Sequence, residues 1–187
     1  MADPTIPAPG AAAVAELVRS AQHGDVAAFV RLHAEFAATV HGIALANGSA
    51  ADAEDVTQDV FMAAYERLPE LRDVAAFPAW LCTAARNAAI DAGRRRRRQG
   101  HGELGEVAAT GGSPAGLAEA RDTHASVLDC IRALPVAYRE TLVLRLCEGL
   151  SGPEIAERTG LTHGSVRVNL TRGMAMLRPL LHERGLP

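Results

Sequence analysis

A helix-turn-helix pattern in residues 151–172 constrains this chain more than any other feature. Ser151 and Glu154 form a Ser-x-x-Glu capping box, which predicts the start of a short helix. Gly160 predicts its end, because a residue without Cβ accepts the left-handed conformation of a helix C-cap. Thr162 can cap a second helix directly afterwards. The pattern therefore predicts two short helices joined by a tight turn.

The second helix of this pair is predicted to bury one face and expose another. Apolar or small residues recur at the helical period and should pack on the domain, namely Val166, Leu170, Gly173, Met174, Leu177 and Leu181. The outward face carries Arg167, Val168, Thr171 and Arg172. Arginine pairs with guanine edges and Val or Thr methyls contact thymine, so this face is typical of a helix that reads the DNA major groove. A solvated helix face is the alternative, and the capping pattern upstream favours DNA binding.

The composition favours helices over sheets. The 187 residues suffice for two small domains, and they are 48% hydrophobic but only 4% aromatic, with abundant alanine. All 19 basic residues are arginine, against 22 acidic residues, which gives a net charge of -3. Nucleic-acid binding must therefore depend on local patches rather than on a global positive field. We expect an all-α protein.

The sequence offers no catalytic, metal-binding or membrane signal. The three cysteines (Cys82, Cys130 and Cys147) are widely spaced, as expected of buried thiols rather than of zinc or disulfide sites. The seven histidines lack close carboxylate or cysteine partners, and no glycine-rich phosphate loop follows a strand pattern. No apolar run approaches the ~18 residues that span a bilayer, and no secretory signal opens the chain. We therefore expect a cytoplasmic protein without enzymatic activity, cofactor or metal.

The chain is expected to fold as two small helical domains joined by a flexible linker. Residues 1–10 are rich in Pro and Ala and predict a disordered tail. Residues 99–121 are glycine-rich, weakly periodic and net acidic, which is typical of a flexible linker. Residues 11–98 and 122–187 each show helical periodicity. The second of these segments is predicted to be a four-helix unit that includes the helix-turn-helix.

Four helices are predicted in the N-terminal domain. They run from about Ala11 to His23, from Asp25 towards Asn47, from Ser49 or Asp52 to the residue before Pro69, and from Phe77 or Pro78 through Arg94, Arg95, Arg96, Arg97 and Arg98. The third helix should turn a partly acidic face to solvent, with Asp55, Gln58, Asp59 and Met62. Acidic residues near a helix start favour its dipole, so this face alone indicates no function.

The fourth helix combines aromatic, amide and cationic residues. Trp80 and Asn87 share one side of it, Phe77 lies at its start, and its last turns are the five arginines. Such a surface can hold phosphates and unstacked bases. The alternatives are that Phe77 and Trp80 are core anchors and that the arginine run is a solvated helix end.

Taken in order, these blocks resemble the extracytoplasmic-function sigma factors of the sigma-70 family. The second region of that family is similar to Ala53-Glu-Asp-Val-Thr-Gln-Asp-Val-Phe-Met-Ala-Ala-Tyr, Phe77-Pro-Ala-Trp-Leu and Ala85-Arg-Asn-Ala-Ala-Ile-Asp. The fourth region is similar to Leu134-Pro-Val-Ala-Tyr-Arg-Glu-Thr-Leu-Val-Leu-Arg and the helix-turn-helix. The resemblance covers about residues 11–98 and 122–182. Two blocks in the right order are far more specific than a helix-turn-helix alone.

The resemblance implies a bacterial transcription initiation factor that binds RNA polymerase core enzyme and directs it to promoter DNA. The surface implied for binding core polymerase is Asp55, Gln58, Asp59 and Met62. Contact with and opening of the minus-ten element are implied for Arg72, Phe77, Trp80, Arg86 and Asn87, with the arginine run beside them. Recognition of the minus-thirty-five element is implied for Arg167, Val168, Thr171 and Arg172. An anti-sigma factor is the further implied partner.

Val168, Asn169 and Gly173 depart from the family pattern, in which Ser, Arg and Ala are usual. These departures put the promoter preference in doubt rather than the function. The linker would also permit the two domains to fold against each other and hide both DNA surfaces. Two other hypotheses remain open: a dimeric helix-turn-helix regulator that acts without polymerase, and a protein-interaction adaptor that uses the acidic helix. The regulator would require a palindromic operator and leaves Trp80, Asn87 and the arginine run unexplained.

Overall fold

The computed structural model describes residues 10–98 and 125–186, and in these ranges the regular structure is helical throughout. The α-helices are α1 (Ala11–Gln22), α2 (Val26–Asn47), α3 (Ala53–Arg67), α4 (Phe77–Arg98), α5 (125–133), α6 (Val136–Leu146), α7 (Gly152–Thr159) and α8 (His163–Glu183). Short 3-10 helices lie at Ala50–Asp52, Leu68–Glu70 and Val74–Ala76. The all-α prediction is confirmed. The predicted linker, residues 99–121, and all but the last residue of the predicted tail, residues 1–10, lie outside the described residues, so both stay predictions.

The first helices begin and end close to the predicted residues because local side chains cap them. The Asp25 carboxylate accepts a hydrogen bond from the Ala28 backbone N–H at 3.1 Å, which starts α2. Ser49 caps the next turn in the same way, accepting from the Asp52 backbone N–H at 3.2 Å. Gly24 has a φ of 91°, in the left-handed region that a residue after a helix end commonly adopts.

The N-terminal helices α1 to α4 surround one hydrophobic core. Leu32 and Phe36 of α2, Val60 of α3, and Phe77 and Leu81 of α4 are all buried in the same cluster. The Phe36 and Phe77 rings meet edge to face with centroids 5.6 Å apart. The core fixes α3 and α4 side by side, so their outer faces form one surface of the domain.

The C-terminal helices α5 to α8 form the predicted four-helix unit. Ile131 of α5, Leu142 of α6 and Leu177 of α8 are fully buried in its core. Helices α6 and α8 approach closely at Gly173, where an added Cβ would lie 2.9 Å from Leu142 Cδ1. This close approach sets the position of α8 on the domain.

The two helical units pack against each other. Helix α2 lies on α6, and α4 lies on α7. Leu144, Leu150 and Ile155 of the C-terminal unit are buried in the same cluster as the N-terminal core. Helical periodicity within each segment does not predict this contact, because the residues that make it are far apart in sequence.

Candidate nucleic-acid and protein interfaces

The helix-turn-helix has the predicted capping geometry. The Glu154 backbone N–H donates to Ser151 Oγ at 3.4 Å, and the Ser151 backbone N–H donates to the Glu154 carboxylate at 2.7 Å. These hydrogen bonds with Ser151 lower the pKa of Glu154. Gly160 has a φ of 74°, and Thr162 Oγ1 accepts from the Ser165 backbone N–H at 3.1 Å. The capping box, the glycine stop and the second cap are confirmed.

Helix α8 turns its predicted reading face to solvent. Val166 and Leu177 are buried against the domain, whereas the exposed residues on the opposite face are Arg167, Val168, Thr171 and Arg172. Thr162 starts the helix, so these residues occupy its first three turns. An exposed N-terminal half of a second helix is the part of a helix-turn-helix that reaches base edges.

The predicted polymerase-binding residues form a continuous exposed strip on α3. All four (Asp55, Gln58, Asp59 and Met62) are exposed, and Met62 is 66% exposed. Their spacing of three and four residues places them on one side of the helix. Val56, Val60 and Ala64 on the other side are buried.

An exposed apolar patch in the same domain was not predicted. Tyr65 of α3 is exposed, and its ring meets Phe29 of α2 edge to face with centroids 4.9 Å apart. Val26 and Val30 of α2 are more than half exposed. The signal in the sequence was the pair of valines four residues apart, which repeat on one side of α2.

The predicted minus-ten residues differ in their surroundings. Arg72 and Asn87 are exposed, and Trp80 is half-buried. Phe77 is 0% exposed and packs against Phe36, so its assignment to a DNA-contacting surface is corrected: it is a core anchor in this structure. From the sequence, either Phe77 or Trp80 could have been a core anchor. The structure shows that Phe77 is buried and Trp80 is half-buried.

Arg86 forms an ion pair with the C-terminal domain. Its Nε and Nη2 donate to the two carboxylate oxygens of Glu140 on α6, at 3.0 and 2.9 Å. This hydrogen bonding raises the pKa of Arg86. A two-point arginine-carboxylate pair is among the stronger polar contacts in proteins. No local sequence pattern predicts this pair, because its partners are 54 positions apart.

The arginines at the end of α4 divide into two groups. Arg94 pairs with Asp91 at 3.2 Å, and Arg96 donates to Ser49 Oγ at 2.6 Å and to the Asp52 carboxylate at 3.1 Å. The second group is exposed and forms no ion pair with any residue that the structure describes. Its members are Arg95, Arg97 and Arg98. Arg96 therefore ties the helix end to the start of α3, whereas no described acidic residue pairs with the other three.

A cleft of about 370 Å³ lies between α3 and α4, with the acidic strip on one side and the arginine run on the other. Its lining residues are Asp52, Asp55, Val56, Asp59, Ala92, Arg95 and Arg96. The side chains of opposite charge that line it mark the boundary between the two predicted interfaces. The surfaces predicted to bind polymerase and DNA are thus adjacent in this domain.

The cysteines are free in the structure, but not all are buried. Cys82 and Cys130 are buried, whereas Cys147 is exposed because it follows directly after α6 at the surface. The expectation of three buried thiols is wrong for Cys147. Burial raises the pKa of the Cys82 thiol to about 12.

No group of three or more His, Cys, Asp or Glu side chains in residues 10–98 and 125–186 is placed to hold a metal ion. None of the helices described there is long and apolar enough to cross a membrane.

Comparisons with known proteins match both halves of the chain. The family described as Sigma-70 region 2 matches residues 29–99, and the family described as Sigma-70, region 4 matches residues 124–177. The sigma factor CnrH of Cupriavidus metallidurans is 33% identical over 181 residues, covering 88% of this chain and 92% of the relative. The extracytoplasmic-function sigma factor BldN of Streptomyces coelicolor is 33% identical over 176 residues, covering 90% of this chain. The chain spans only 66% of BldN.

A solved structure of CnrH in complex with the cytosolic domain of CnrY has a TM-score of 0.64 and 29% identity, and covers 91% of this chain and 98% of that chain. The chain therefore belongs to the extracytoplasmic-function sigma factors of the sigma-70 family. The resemblance drawn from the motif blocks is confirmed.

Proposed function

We propose that this chain initiates transcription by binding RNA polymerase core enzyme on α3, reading and opening the minus-ten element with α4, and reading the minus-thirty-five element with α8. The observation that carries the proposal is the pairing of an exposed helix-turn-helix face in one domain with an exposed acidic strip and arginine cluster in the other. A regulator that acts alone would have no use for the second set of surfaces.

Recognition of the minus-thirty-five element is assigned to the outer face of α8. Arg167 and Arg172 supply donors for guanine edges or phosphates, and the methyl groups of Val168 and Thr171 can contact thymine. All four are exposed, and they lie on one face of a helix whose other face is buried. The departure at Val168 from the serine usual in the family favours contact with a methyl group over a hydrogen bond at that position.

Binding of the minus-ten element is assigned to α4 and the loop before it. Arg72 and Asn87 are exposed, and Trp80 offers part of a ring face on which a base can stack. Arg95, Arg97 and Arg98 attract the phosphate backbone, each adding to the salt dependence of binding. Arg86 joins this set when it is not paired with Glu140.

Docking on the polymerase is assigned to Asp55, Gln58, Asp59 and Met62. An exposed methionine beside carboxylates combines an adaptable apolar contact with charges that orient a partner. The size of the exposed apolar side chain supports a protein contact, because a solvated helix face does not require a methionine that is 66% exposed.

The same proposal covers partners and location. The structure of CnrH was solved with the cytosolic domain of CnrY, which supports a protein partner for this chain as well, and the family resemblance makes that partner an anti-sigma factor. We infer a cytoplasmic protein with no catalytic activity of its own, which acts by lending binding surfaces to the polymerase.

Run-off transcription with bacterial core polymerase on a genomic promoter library tests the proposal. We expect discrete start sites that are absent with core enzyme alone. Asp55→Ala combined with Gln58→Ala should reduce co-elution with core enzyme while leaving helicity intact, and Glu183→Ala, on an exposed carboxylate of α8, serves as the matched control. A dimer that protects a palindromic duplex without polymerase, and gives no run-off product, would support the regulator instead.

A further inference from the structure

The contact between the two domains has a buried apolar centre. Leu144, Leu150 and Ile155 of the C-terminal domain are buried in one cluster with Phe36 and Leu81 of the N-terminal domain. Close fit accompanies burial. At Gly42 of α2, an added Cβ would lie 2.9 Å from Glu148 Cγ and 3.0 Å from Leu144 Cδ2. The interface is therefore packed like a protein interior, and we call this packing of the two domains the closed arrangement.

Arg158 of α7 is the central polar contact of the closed arrangement. Its Nη1 donates to the Glu35 carbonyl oxygen at 2.7 Å and to Thr39 Oγ1 at 2.9 Å, and its Nη2 pairs with the Glu35 carboxylate. Its guanidinium also lies 5.6 Å from the centroid of the Phe36 ring. The Arg158 side chain is only 11% exposed. A buried cation with this many partners strongly favours the geometry that satisfies it.

Two other arginines donate hydrogen bonds across the interface. Arg132 of α5 donates through Nε to the Leu45 carbonyl oxygen at 3.1 Å, in the last turn of α2. The carboxylate oxygens of Glu140 on α6 accept hydrogen bonds from Nε and Nη2 of Arg86. The Glu140 side chain is only 13% exposed, whereas that of Arg86 is 34% exposed, so the pair is partly screened from solvent. The closed arrangement thus places a carboxylate where a DNA phosphate or base edge would bind Arg86.

The closed arrangement cannot be the DNA-bound arrangement. The minus-ten and minus-thirty-five elements are about 25 base pairs apart by their names, which is roughly 85 Å along B-form DNA at ~3.4 Å per pair. A compact chain of this length has a radius of gyration of about 16 Å. Residues 99–124 can bridge up to about 90 Å by contour length. The two domains must therefore separate before both elements are read.

The closed arrangement affects the two DNA surfaces unequally. The reading face of α8 stays exposed, whereas Arg86 of α4 is occupied. Packing of the domains therefore does not hide both DNA surfaces.

We propose that Glu140 is an intramolecular competitor of promoter DNA for Arg86, and that Arg158 fastens the two domains together so that this competition persists in the free chain. The proposal rests on the proposed minus-ten role of Arg86. Separation of the domains on the polymerase releases Arg86 at the same time as it allows both elements to be reached. In the free sigma factor, the contribution of Arg86 to single-strand binding is in this way suppressed until the chain is placed on the polymerase.

Small-angle X-ray scattering of the full chain tests closure without DNA. The wild-type chain should have a radius of gyration of about 16 Å, and Arg158→Met should raise it above about 20 Å by freeing the domains. Circular dichroism checks that the helices of the variant persist. Glu157→Gln, on the exposed neighbour of Arg158, is the matched control and should leave the radius unchanged. An extended wild-type chain, or a folded Arg158→Met chain as compact as wild type, overturns the fastening role.

Anisotropy of a fluorescein-labelled strand of twenty thymidines tests the competition. Glu140→Gln should bind it about threefold to tenfold more tightly than wild type. Glu183→Gln removes the same charge from the same domain and should give a much smaller gain. In an Arg86→Gln background, Glu140→Gln should give no more than that smaller gain, because the competed cation is gone.

Three outcomes would overturn the competition: no gain from Glu140→Gln, an equal gain from Glu183→Gln, or a full gain in the Arg86→Gln background. A different measurement tests the proposed minus-ten role of Arg86. If that role is wrong, Arg86→Gln leaves run-off transcription unchanged, whatever the scattering experiment reports about closure.

Discussion

Gly173 offers a test of how tightly α8 is seated on α6. In a helix interior, replacing glycine by alanine ordinarily stabilises by about 1 kcal/mol, because alanine restricts the unfolded chain. At Gly173 the new Cβ would lie 2.9 Å from Leu142 Cδ1, 3.1 Å from Leu142 Cγ and 3.2 Å from Tyr138 Cβ. Leu142 is 0% exposed, and Tyr138 Cβ is attached directly to the backbone, so neither can move without disturbing its neighbours.

The packing effect should therefore exceed the helix-propensity effect. Overpacking of a buried site costs about 1–3 kcal/mol, against a gain of about 1 kcal/mol from propensity. We expect Gly173→Ala to lower the free energy of unfolding by roughly 1 kcal/mol, or by about 2–4 °C in Tm for a chain of this size. The measurement is urea unfolding followed by circular dichroism, with the m-value compared to confirm that the unfolded states are similar.

Gly164→Ala in the same helix is the matched control. An added Cβ at Gly164 has only Thr162 Oγ1 nearby, at 3.8 Å, so this variant should be neutral or stabilised. A Gly173→Ala chain more stable than wild type by about as much as a helix-interior alanine gives would refute the packing argument. It would mean that the departure from the usual alanine of the family reflects no steric constraint.

Three other changes test separate parts of the structure. Ser151→Ala removes the capping box of α7 and should cost about 1 kcal/mol of stability in the same unfolding assay, while an unaltered midpoint would show that the cap contributes nothing. The protonated His41 Nδ1 donates to the Glu148 carboxylate at 3.5 Å, and this hydrogen bond raises the pKa of His41. The contact between domains is therefore fully formed below pH ~6.5 and is lost as pH rises through the raised value. Scattering should therefore report a more compact chain at pH 6 than at pH 8, with the difference abolished by Glu148→Gln. Gln should replace the three exposed arginines of α4, which are Arg95, Arg97 and Arg98. The slope of log K against log salt concentration for single-strand binding should then become about 2 units shallower, and an identical slope would exclude these arginines from phosphate contact.

Local chemistry made the helices predictable. The capping box at Ser151, the stop at Gly160 and the cap at Asp25 act within four residues of themselves, so their outcome is encoded in short stretches. The exposed strip on α3 and the reading face of α8 follow from helical period alone. These are the parts of the candidate site that the sequence could indicate in advance.

Long-range packing was not predictable in the same way. Phe77 and Trp80 are three residues apart in one helix, yet the first is buried against Phe36 and the second is half-buried. Arg86 meets Glu140, and Arg158 meets Glu35, across separations of 54 and 123 positions. No periodic pattern links such residues. The domain interface therefore had to be observed.

The reactivity of Cys82 reports whether the closed arrangement has opened. Its thiol is 1% exposed and donates to the Arg158 carbonyl oxygen at 3.0 Å, at the place where α4 meets α7. Separation of the domains removes α7 from the thiol. The thiol is then less buried, its pKa falls, and a reagent can alkylate it. The rate at which a thiol reagent modifies Cys82 should thus report how often the domains separate in the unlabelled protein. Cys147, which is exposed in the closed arrangement, serves as the internal standard for the reagent.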